Sequence, residues 1–348
     1  MNKAQEIAQE INEMLGNNTV IFGNDKRLKV EYIRTGVLPI DHLLSGGIPK
    51  GRFTELFGAY STLKSYIGLS TIAQAQKAGG VCALIDTEHA YDPEWARSLG
   101  VDTDSLIYQA PDTGEEAIDT SETLIRSGVD LIVWDSVAAT LPQAEGNKRM
   151  SKESVQPARL AALMSLGMRK LTSANRHTAM MFINQTRMSV GVMFGDPEVV
   201  AGGKALPYYA SYRVSLRKAG KIKETIDGYD DEGHKTKINS VTGIKIRATL
   251  EKSKLSKPSQ EAIFTFDLTT GKVDEIGYLI SCGLLNQTIK HEGRSWWINE
   301  NEKQVGLDKF RGWLEENPNI QEVLRESLIP KQDGKKEPVK KKVEKLKK

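Results

Sequence analysis

Three groups suited to nucleotide chemistry follow one another in the first half of the chain: Lys64-Ser65, Glu88 and Asp135. Lys64 and Ser65 end the stretch Gly58-Ala59-Tyr60-Ser61-Thr62-Leu63-Lys64-Ser65, which matches the phosphate-loop pattern G-x-x-x-x-G-K-[ST] except at Leu63. In such a loop, unpaired N–H groups at a helix start receive phosphate oxygens, the lysine meets the outer phosphates and the hydroxyl meets Mg²⁺. Asp135 ends the apolar run Leu131-Ile132-Val133-Trp134, where a carboxylate can reach the Mg²⁺ water shell. Glu88 lies two residues past the run Cys82-Ala83-Leu84-Ile85-Asp86 and is placed to polarise a water for attack on a γ-phosphate. The plainer alternative for Glu88 is a surface carboxylate capping the following turn.

Leu63 stands where the pattern has Gly. If the position needs a positive φ, leucine costs ~1 kcal/mol or more and binding suffers. If it is the first residue of the helix, φ is negative and leucine is tolerated.

The elements that must hold these groups alternate. Arg52 to Phe57 reads as a strand, Tyr66 to Lys77 as a helix, Val81 to Asp86 as a buried strand and Pro93 to Leu99 as a short helix. Ser105 to Gln109 is a further strand, and Thr113-Gly114-Glu115-Glu116 has capping-box spacing for a helix to about Arg126. Val129 to Trp134 and Ala179 to Asn184 are apolar strands around a helix over Leu160 to Ser173. Strands separated by helical patterns imply parallel βαβ units, with ligands at the carboxyl ends of the strands. Beyond Tyr208 the period shortens over Ser211 to Arg217, Thr242 to Leu250 and Ala262 to Asp267, which implies antiparallel strands at one edge. A shift near Thr269-Thr270-Gly271 marks a hinge before a small α+β lobe, with Trp296-Trp297 in a strand and Leu307 to Glu315 in a helix. At the other end, Ile7, Ile11, Met14 and Leu15 give a short amphipathic helix that must dock on the core or on another subunit.

Composition sets bounds. With 348 residues, 39% of them apolar and 27% charged, the chain can bury a large core, in two lobes rather than one. No run approaches the ~18 apolar residues of a membrane span, and the first residues have no apolar signal region. Cys82 and Cys282 read as buried free thiols, so the expected compartment is the cytoplasm, with no membrane partner. The net charge of +3 divides into +6 for residues 334–348 and −3 for the remainder. That Lys-rich tail is expected to be disordered, either holding nucleic acid through phosphates or serving solubility. His42 has no second His or Cys nearby and reads as a surface or packing residue, not a ligand.

Arg187 to Lys204 is a long stretch rich in Gly and apolar residues with no regular period. Loops of that length are functional or disordered. Apolar Val190, Met193 and Phe194, with N–H groups offered by Gly202-Gly203, suit sequence-independent binding of an unpaired strand.

Residues 85–93 (Ile85-Asp86-Thr87-Glu88-His89-Ala90-Tyr91-Asp92-Pro93), residues 131–139 (Leu131-Ile132-Val133-Trp134-Asp135-Ser136-Val137-Ala138-Ala139) and residues 182–197, from Phe182-Ile183-Asn184-Gln185 to Gly195-Asp196-Pro197, resemble the RecA recombinase family. The similarity runs from about Thr35 to Asn317. It implies an α/β, RecA-type P-loop ATPase core with a mainly parallel central sheet, a short N-terminal helical segment and a small α+β C-terminal lobe. The corresponding divisions are 1–32 for an oligomerisation segment, 33–274 for the core, 275–330 for the lobe and 331–348 for the tail. The implied activity is ATP- and Mg²⁺-dependent filament formation on single-stranded DNA, then pairing with duplex DNA and strand exchange. Single-strand-binding and loading proteins are implied as partners.

By resemblance, Gly58 to Tyr66 hold the phosphates, Ser65 and Asp135 hold Mg²⁺ through water, Glu88 activates water and Gln185 senses the γ-phosphate. Asp92 and Trp95 match adenine contacts, and Lys252 and Lys254 match a pair that reaches the neighbouring subunit's nucleotide. From the residues alone, these two lysines read as an exposed charged strand end. DNA contacts are implied at loops of about 145–157 and 187–204, with Arg187, Val190, Met193, Phe194, Gly202 and Gly203 in the second, and at Ser165 and Arg169. Tyr208 and Arg213 match the subunit contact. Three departures stand out: Leu63, at a position where some phage recombinases resembling UvsX also carry a bulky residue; Pro207 at the subunit contact; and a basic tail where bacterial members are acidic. They point to a phage-encoded or divergent member. The alternatives are a non-hydrolysing DNA-binding mediator on the same fold and a hexameric helicase.

Overall fold

The computed structural model describes residues 2–146, 157–188, 198–229, 232, 234–298 and 302–329. Residues 147–156 of the first expected DNA loop, residues 189–197 of the second, including Val190, Met193 and Phe194, and the Lys-rich tail lie outside the described residues. The described residues fall into two compact units, one reaching to Glu31 and one starting at Tyr32.

The first unit is a helix with an irregular return. Helix α1 (Lys3–Leu15) opens on a capping box in which Asn2 and Gln5 exchange side-chain and backbone hydrogen bonds, and Gly16 ends it at φ 65°. Asn12 holds the return by bonding both backbone groups of Val20. Ala8 is buried, whereas Ile7, Met14 and Leu15 are exposed.

The second unit begins with β1 (Tyr32–Ile33), α2 (Leu38–Leu43) and β2 (Ile48–Pro49). The core follows as β3 (Phe53–Gly58), α3 (Lys64–Lys77), β4 (Cys82–Asp86), α4 (Pro93–Ser98), β5 (Leu106–Gln109), α5 (Gly114–Arg126) and β6 (Leu131–Asp135). Next come α6 (Gln143–Gly146), α7 (Pro157–Ala174), β7 (Ala179–Met188), β8 (Glu198–Val200) and α8 (Ala205–Tyr209). The hairpin β9 (Tyr212–Tyr229) and β10 (Lys235–Ser253) leads to β11 (Glu261–Asp267) and β12 (Lys272–Val273). The chain closes with α9 (Glu275–Leu285), β13 (Lys290–Glu292), β14 (Ser295–Trp297), β15 (Gln304–Val305), α10 (Leu307–Glu315) and α11 (Pro318–Leu328).

The main sheet has the order β12-β11-β10-β9-β3-β7-β6-β4-β5, with β8 on the end of β7. Strands β9, β3, β7, β6, β4 and β5 are mutually parallel, and β10, β11 and β12 continue antiparallel. The expected antiparallel edge is present, except that its first strand, β9, pairs parallel to β3.

Alternate residues of the central strands feed two cores, as strands buried on both faces require. Leu56, Leu84, Val133 and Ile183 pack with Ile67 and Ile72 of α3 and with residues of α9, α10 and α11. Ala83, Ile132, Trp134 and Phe182 pack on the other face with Ala117 and Ile118 of α5 and Met164 and Met168 of α7. Both cysteines are buried free thiols, as expected, and burial pushes Cys82 up to about 12. His42 binds the Tyr278 hydroxyl at 2.8 Å, a packing role that ties α2 to α9. No helix among the described residues is long and apolar enough to cross a membrane.

Candidate nucleotide site

One sheet register assembles the site. Asp86 of β4 is level with Asp135 of β6, and Asp135 is level with Ile183 of β7. Two residues further on stand Glu88 and Gln185, beyond the strand that separates them. Side chains repeat every second residue, so both project on the side set by that row. Gln185 Nε2 donates to Glu88 Oε1 at 2.6 Å, and Ser136 Oγ, from just past β6, donates to the same oxygen at 2.5 Å. Thr87 fastens the loop to β6, its N–H on the Asp135 carbonyl and its hydroxyl on the Ser136 carbonyl.

Glu88 is not the turn cap that a surface reading requires. Asp86 does that work, accepting the N–H groups of Glu88, Ala90 and Tyr91 at 2.9–3.0 Å and the Tyr108 hydroxyl at 3.2 Å. The loop is thereby fixed with the Glu88 carboxylate turned towards Gln185. Asp86 and Ser136 are not among the residues expected at the site. A carboxylate ending β4 as Asp135 ends β6 was the available signal for Asp86; Ser136 had none.

The phosphate loop leaves β3 at Gly58, where φ is 154° and a Cβ would lie 2.2 Å from the Leu216 carbonyl oxygen. Glycine is required by that approach. Helix α3 begins at Lys64, two residues before the expected start, and Leu63 precedes it at φ 70°, ψ 17°. Leu63 therefore follows the positive-φ branch and is strained, although its side chain packs against the core. Ser61 also has a positive φ, of 54°. Lys64 is buried and folds back onto its own loop, donating to the carbonyls of Gly58 (3.1 Å) and Ala59 (2.7 Å) and to Thr62 Oγ1 (3.3 Å). Burial lowers its pKa, partly offset by the charges of Asp135 and Glu88.

Ser65 Oγ donates to Asp135 Oδ2 at 2.6 Å, while Asp135 Oδ1 is buried without a hydrogen-bond partner. Burial pushes Asp135 up to about 6; the Ser65 bond opposes this, and the neighbouring Glu88 and Asp86 charges add to it. An orphaned carboxylate oxygen beside a hydroxyl is a hard-oxygen set that fits Mg²⁺, and the amine at the loop fits phosphate. A cleft of about 110 Å³ brings Ser65, Glu88, Asp92, Trp95 and Asp135 together with Tyr91. Asp92 caps α4 through the N–H groups of Glu94 and Trp95, and Trp95 is half exposed on its first turn. Tyr66 is not in that cleft; its ring packs edge-on against Phe266 at 5.1 Å.

The other expected residues lie elsewhere. Lys252 Nζ donates to the carbonyls of Pro207 (2.6 Å) and Tyr208 (2.8 Å), and Lys254 Nζ to that of Tyr208 (3.2 Å), at the end of α8. Tyr208 is largely exposed, but Arg213 is tied inside the sheet, with Nε 2.6 Å from buried Glu55 and its guanidinium over the Phe57 ring at 4.5 Å. Ser165 and Arg169 are exposed four residues apart, on one face of α7. Arg187 is exposed on β7, two residues beyond Gln185. Gly202 and Gly203, at φ 83° and 73°, pack against Val137 and Ala161 before α8.

A parallel sheet whose β3 runs through such a loop into α3, with carboxylates closing β4 and β6, defines a P-loop nucleotide-binding core. Residues 3–272 match the RecA N-terminal domain family. Protein RecA of Acinetobacter baylyi is 41% identical over 338 residues, covering 94% of this chain and 92% of that protein. Protein RecA of Brucella canis and of Brucella abortus are each 40% identical over 309 residues, covering 88% of this chain and 81% of theirs. The chain belongs to the RecA family. It is thus a RecA-family recombinase, in a family of DNA-dependent ATPases that bind ATP with Mg²⁺.

Proposed function

We propose that the chain is a phage-encoded or divergent recombinase that forms filaments on single-stranded DNA, hydrolyses ATP in response to DNA, and pairs and exchanges strands with duplex DNA. The observation that carries this reading is the Gln185–Glu88 hydrogen bond. It joins the carboxylate beside the phosphate loop to the strand that runs on, through Arg187, into the loop expected to hold DNA.

Bound Mg²⁺ supplies charge neutralisation to the developing phosphate oxygens. Ser65 and Asp135 would hold it, and Gly58 to Lys64 would cradle the phosphates with Lys64 on the outer ones. Glu88 accepts a proton from water at Oε1 or Oε2 once Gln185 has turned away to another acceptor. Ser136 keeps the carboxylate aimed throughout. Asp92 and Trp95 flank the adenine, the exposed Trp95 ring supplying a stacking face. Across a subunit seam, Lys252 and Lys254 leave the end of α8 to reach the neighbouring nucleotide, with Tyr208 and Arg213 at that contact. Ser165, Arg169, Arg187, Gly202 and Gly203 face the DNA strand. Single-strand-binding and loading proteins in the cytoplasm complete the proposed setting.

DNA-stimulated phosphate release by wild type and Lys64→Ala tests the enzyme claim. Release is expected from the wild type alone; equal release from both removes it. The mediator reading has support in Leu63, whose left-handed backbone fixes the loop on which Lys64 is folded back. Leu63→Gly separates the two: a large gain in ATPase activity favours the mediator, and little change favours the enzyme.

A further inference from the structure

β9 runs past the phosphate loop as β3 ends. Gly58 is level with Leu216 in the parallel β3–β9 ladder, and Leu216 shares a core with Ile67 and Ile72 of α3. Lys218 pairs with buried Ile246 and lies one side-chain repeat, about 6.6 Å, beyond Leu216. A register shift follows at once, between Lys245 and Ile246, and re-aims the strand there. Lys218 consequently projects beyond the end of β3, over the loop. Its Nζ lies 4.9 Å from the centroid of the Tyr60 ring, and Tyr60, third residue of the loop, is itself 80% exposed. Among the described residues no carboxylate pairs with Lys218. Its charge is also one of those felt by the Lys64 amine. Two cations thus border one loop, and among the described residues Lys218 is held by the face of an exposed ring, a contact of modest strength.

We propose that Lys218 is a second phosphate-binding cation of the nucleotide site, parked on Tyr60 and transferred to the outer phosphates of a bound nucleoside triphosphate. The proposal rests on the nucleotide reading of the loop. A flexible ammonium near a polyphosphate gains charge-assisted hydrogen bonds that a neutral ring cannot offer. A nucleoside monophosphate, which lacks the outer phosphates, gains nothing from it.

Equilibrium binding of fluorescent ATP and AMP analogues, followed by anisotropy with Mg²⁺ and without DNA, tests this. Lys218→Met is expected to weaken the ATP analogue at least about tenfold and the AMP analogue less than twofold. Lys218→Arg is expected to restore most of the ATP affinity. Wild-type affinity for the ATP analogue in Lys218→Met, with binding lost in Lys64→Ala, overturns the proposal and leaves the nucleotide site standing. Equal weakening of both analogues also overturns it, because a mere brace between β9 and the loop behaves that way. A wild type that binds neither analogue removes the nucleotide reading and Lys218's role together.

Discussion

Replacing Asp135 by Asn isolates the electrostatic cost of keeping a metal-ready carboxylate. One oxygen of Asp135 accepts from Ser65 and the other is buried without a partner, so burial raises the pKa from an ordinary 3.8 to about 6. That difference corresponds to roughly 3 kcal/mol at 1.36 kcal/mol per unit, an upper figure for the penalty of the ionised group. The folded chain holds this proton more tightly than the unfolded chain. The penalty is therefore complete above pH 6 and is relieved as pH falls from 6 towards 3.8. Asn keeps the shape and the acceptor for Ser65, but it buries an amide N–H₂ at a cost of about 1 kcal/mol. Asp135→Asn should be more stable than wild type by about 1–2 kcal/mol at pH 7.5, and this gain should shrink to nothing by pH 4.5. Urea unfolding of both proteins at the two pH values, without nucleotide or Mg²⁺, measures it. Adding Mg²⁺ and an ATP analogue should reverse the ranking, because only the wild type retains the charge that a cation would neutralise. A variant no more stable than wild type at pH 7.5, or a gain independent of pH, would refute the reasoning.

Leu63→Gly removes a left-handed leucine worth ~1–2 kcal/mol of strain, but it loses partial core packing and adds chain entropy of similar size. Its unfolding free energy should change by less than about 1 kcal/mol, whereas Leu63→Val, β-branched at the same φ, should lower it measurably in the same urea titration. Arg213→Ala leaves the Glu55 carboxylate buried with Asn184 as its remaining side-chain donor, and should cost about 3 kcal/mol or more by equilibrium unfolding. The double variant with Glu55→Gln should recover part of that loss. Asp86→Asn withdraws charge from the three N–H groups that fix the Glu88 loop; ATP turnover should fall about tenfold while analogue binding stays within about twofold.

Much of the sheet could be read from sequence because its central strands are buried on both faces and spell themselves as apolar runs. Leu131-Ile132-Val133-Trp134 and Ala179 to Asn184 feed one core with odd residues and the other with even ones. Helix α10 was legible to the residue because Phe310 and Leu314 repeat at helical spacing on one buried face. The hairpin was not. Strand was expected to stop at Arg217 and to resume at Thr242, yet β9 continues to Tyr229 and β10 begins at Lys235. Most described residues of that extension are exposed, and its apolar members, among them Ile222, Ile238 and Val241, are too sparse among polar residues to spell the alternation that marks a half-buried strand.

The site divides along the same line. Lys64, Ser65, Glu88 and Asp135 could be named because each sits at a fixed offset from an apolar strand, and the register turns equal offsets into neighbours. With Asp86 level with Asp135 and Asp135 level with Ile183, two further residues on the outer strands bring Glu88 and Gln185 into contact over β6. What no offset encodes is backbone conformation. The φ of Leu63 goes with an α3 that starts at residue 64, and the loop before it leaves β3 where Gly58 lodges against the Leu216 carbonyl, a contact 158 residues away in sequence. The same wedge aligns β9 with β3 and so carries Lys218 over Tyr60. Widening it with Gly58→Ala would push β9 from the loop, disturbing Leu63 and Lys218 in one step. A loop with leucine where the pattern has glycine is thus packed from the β9 side of the sheet, at Gly58 and at Tyr60.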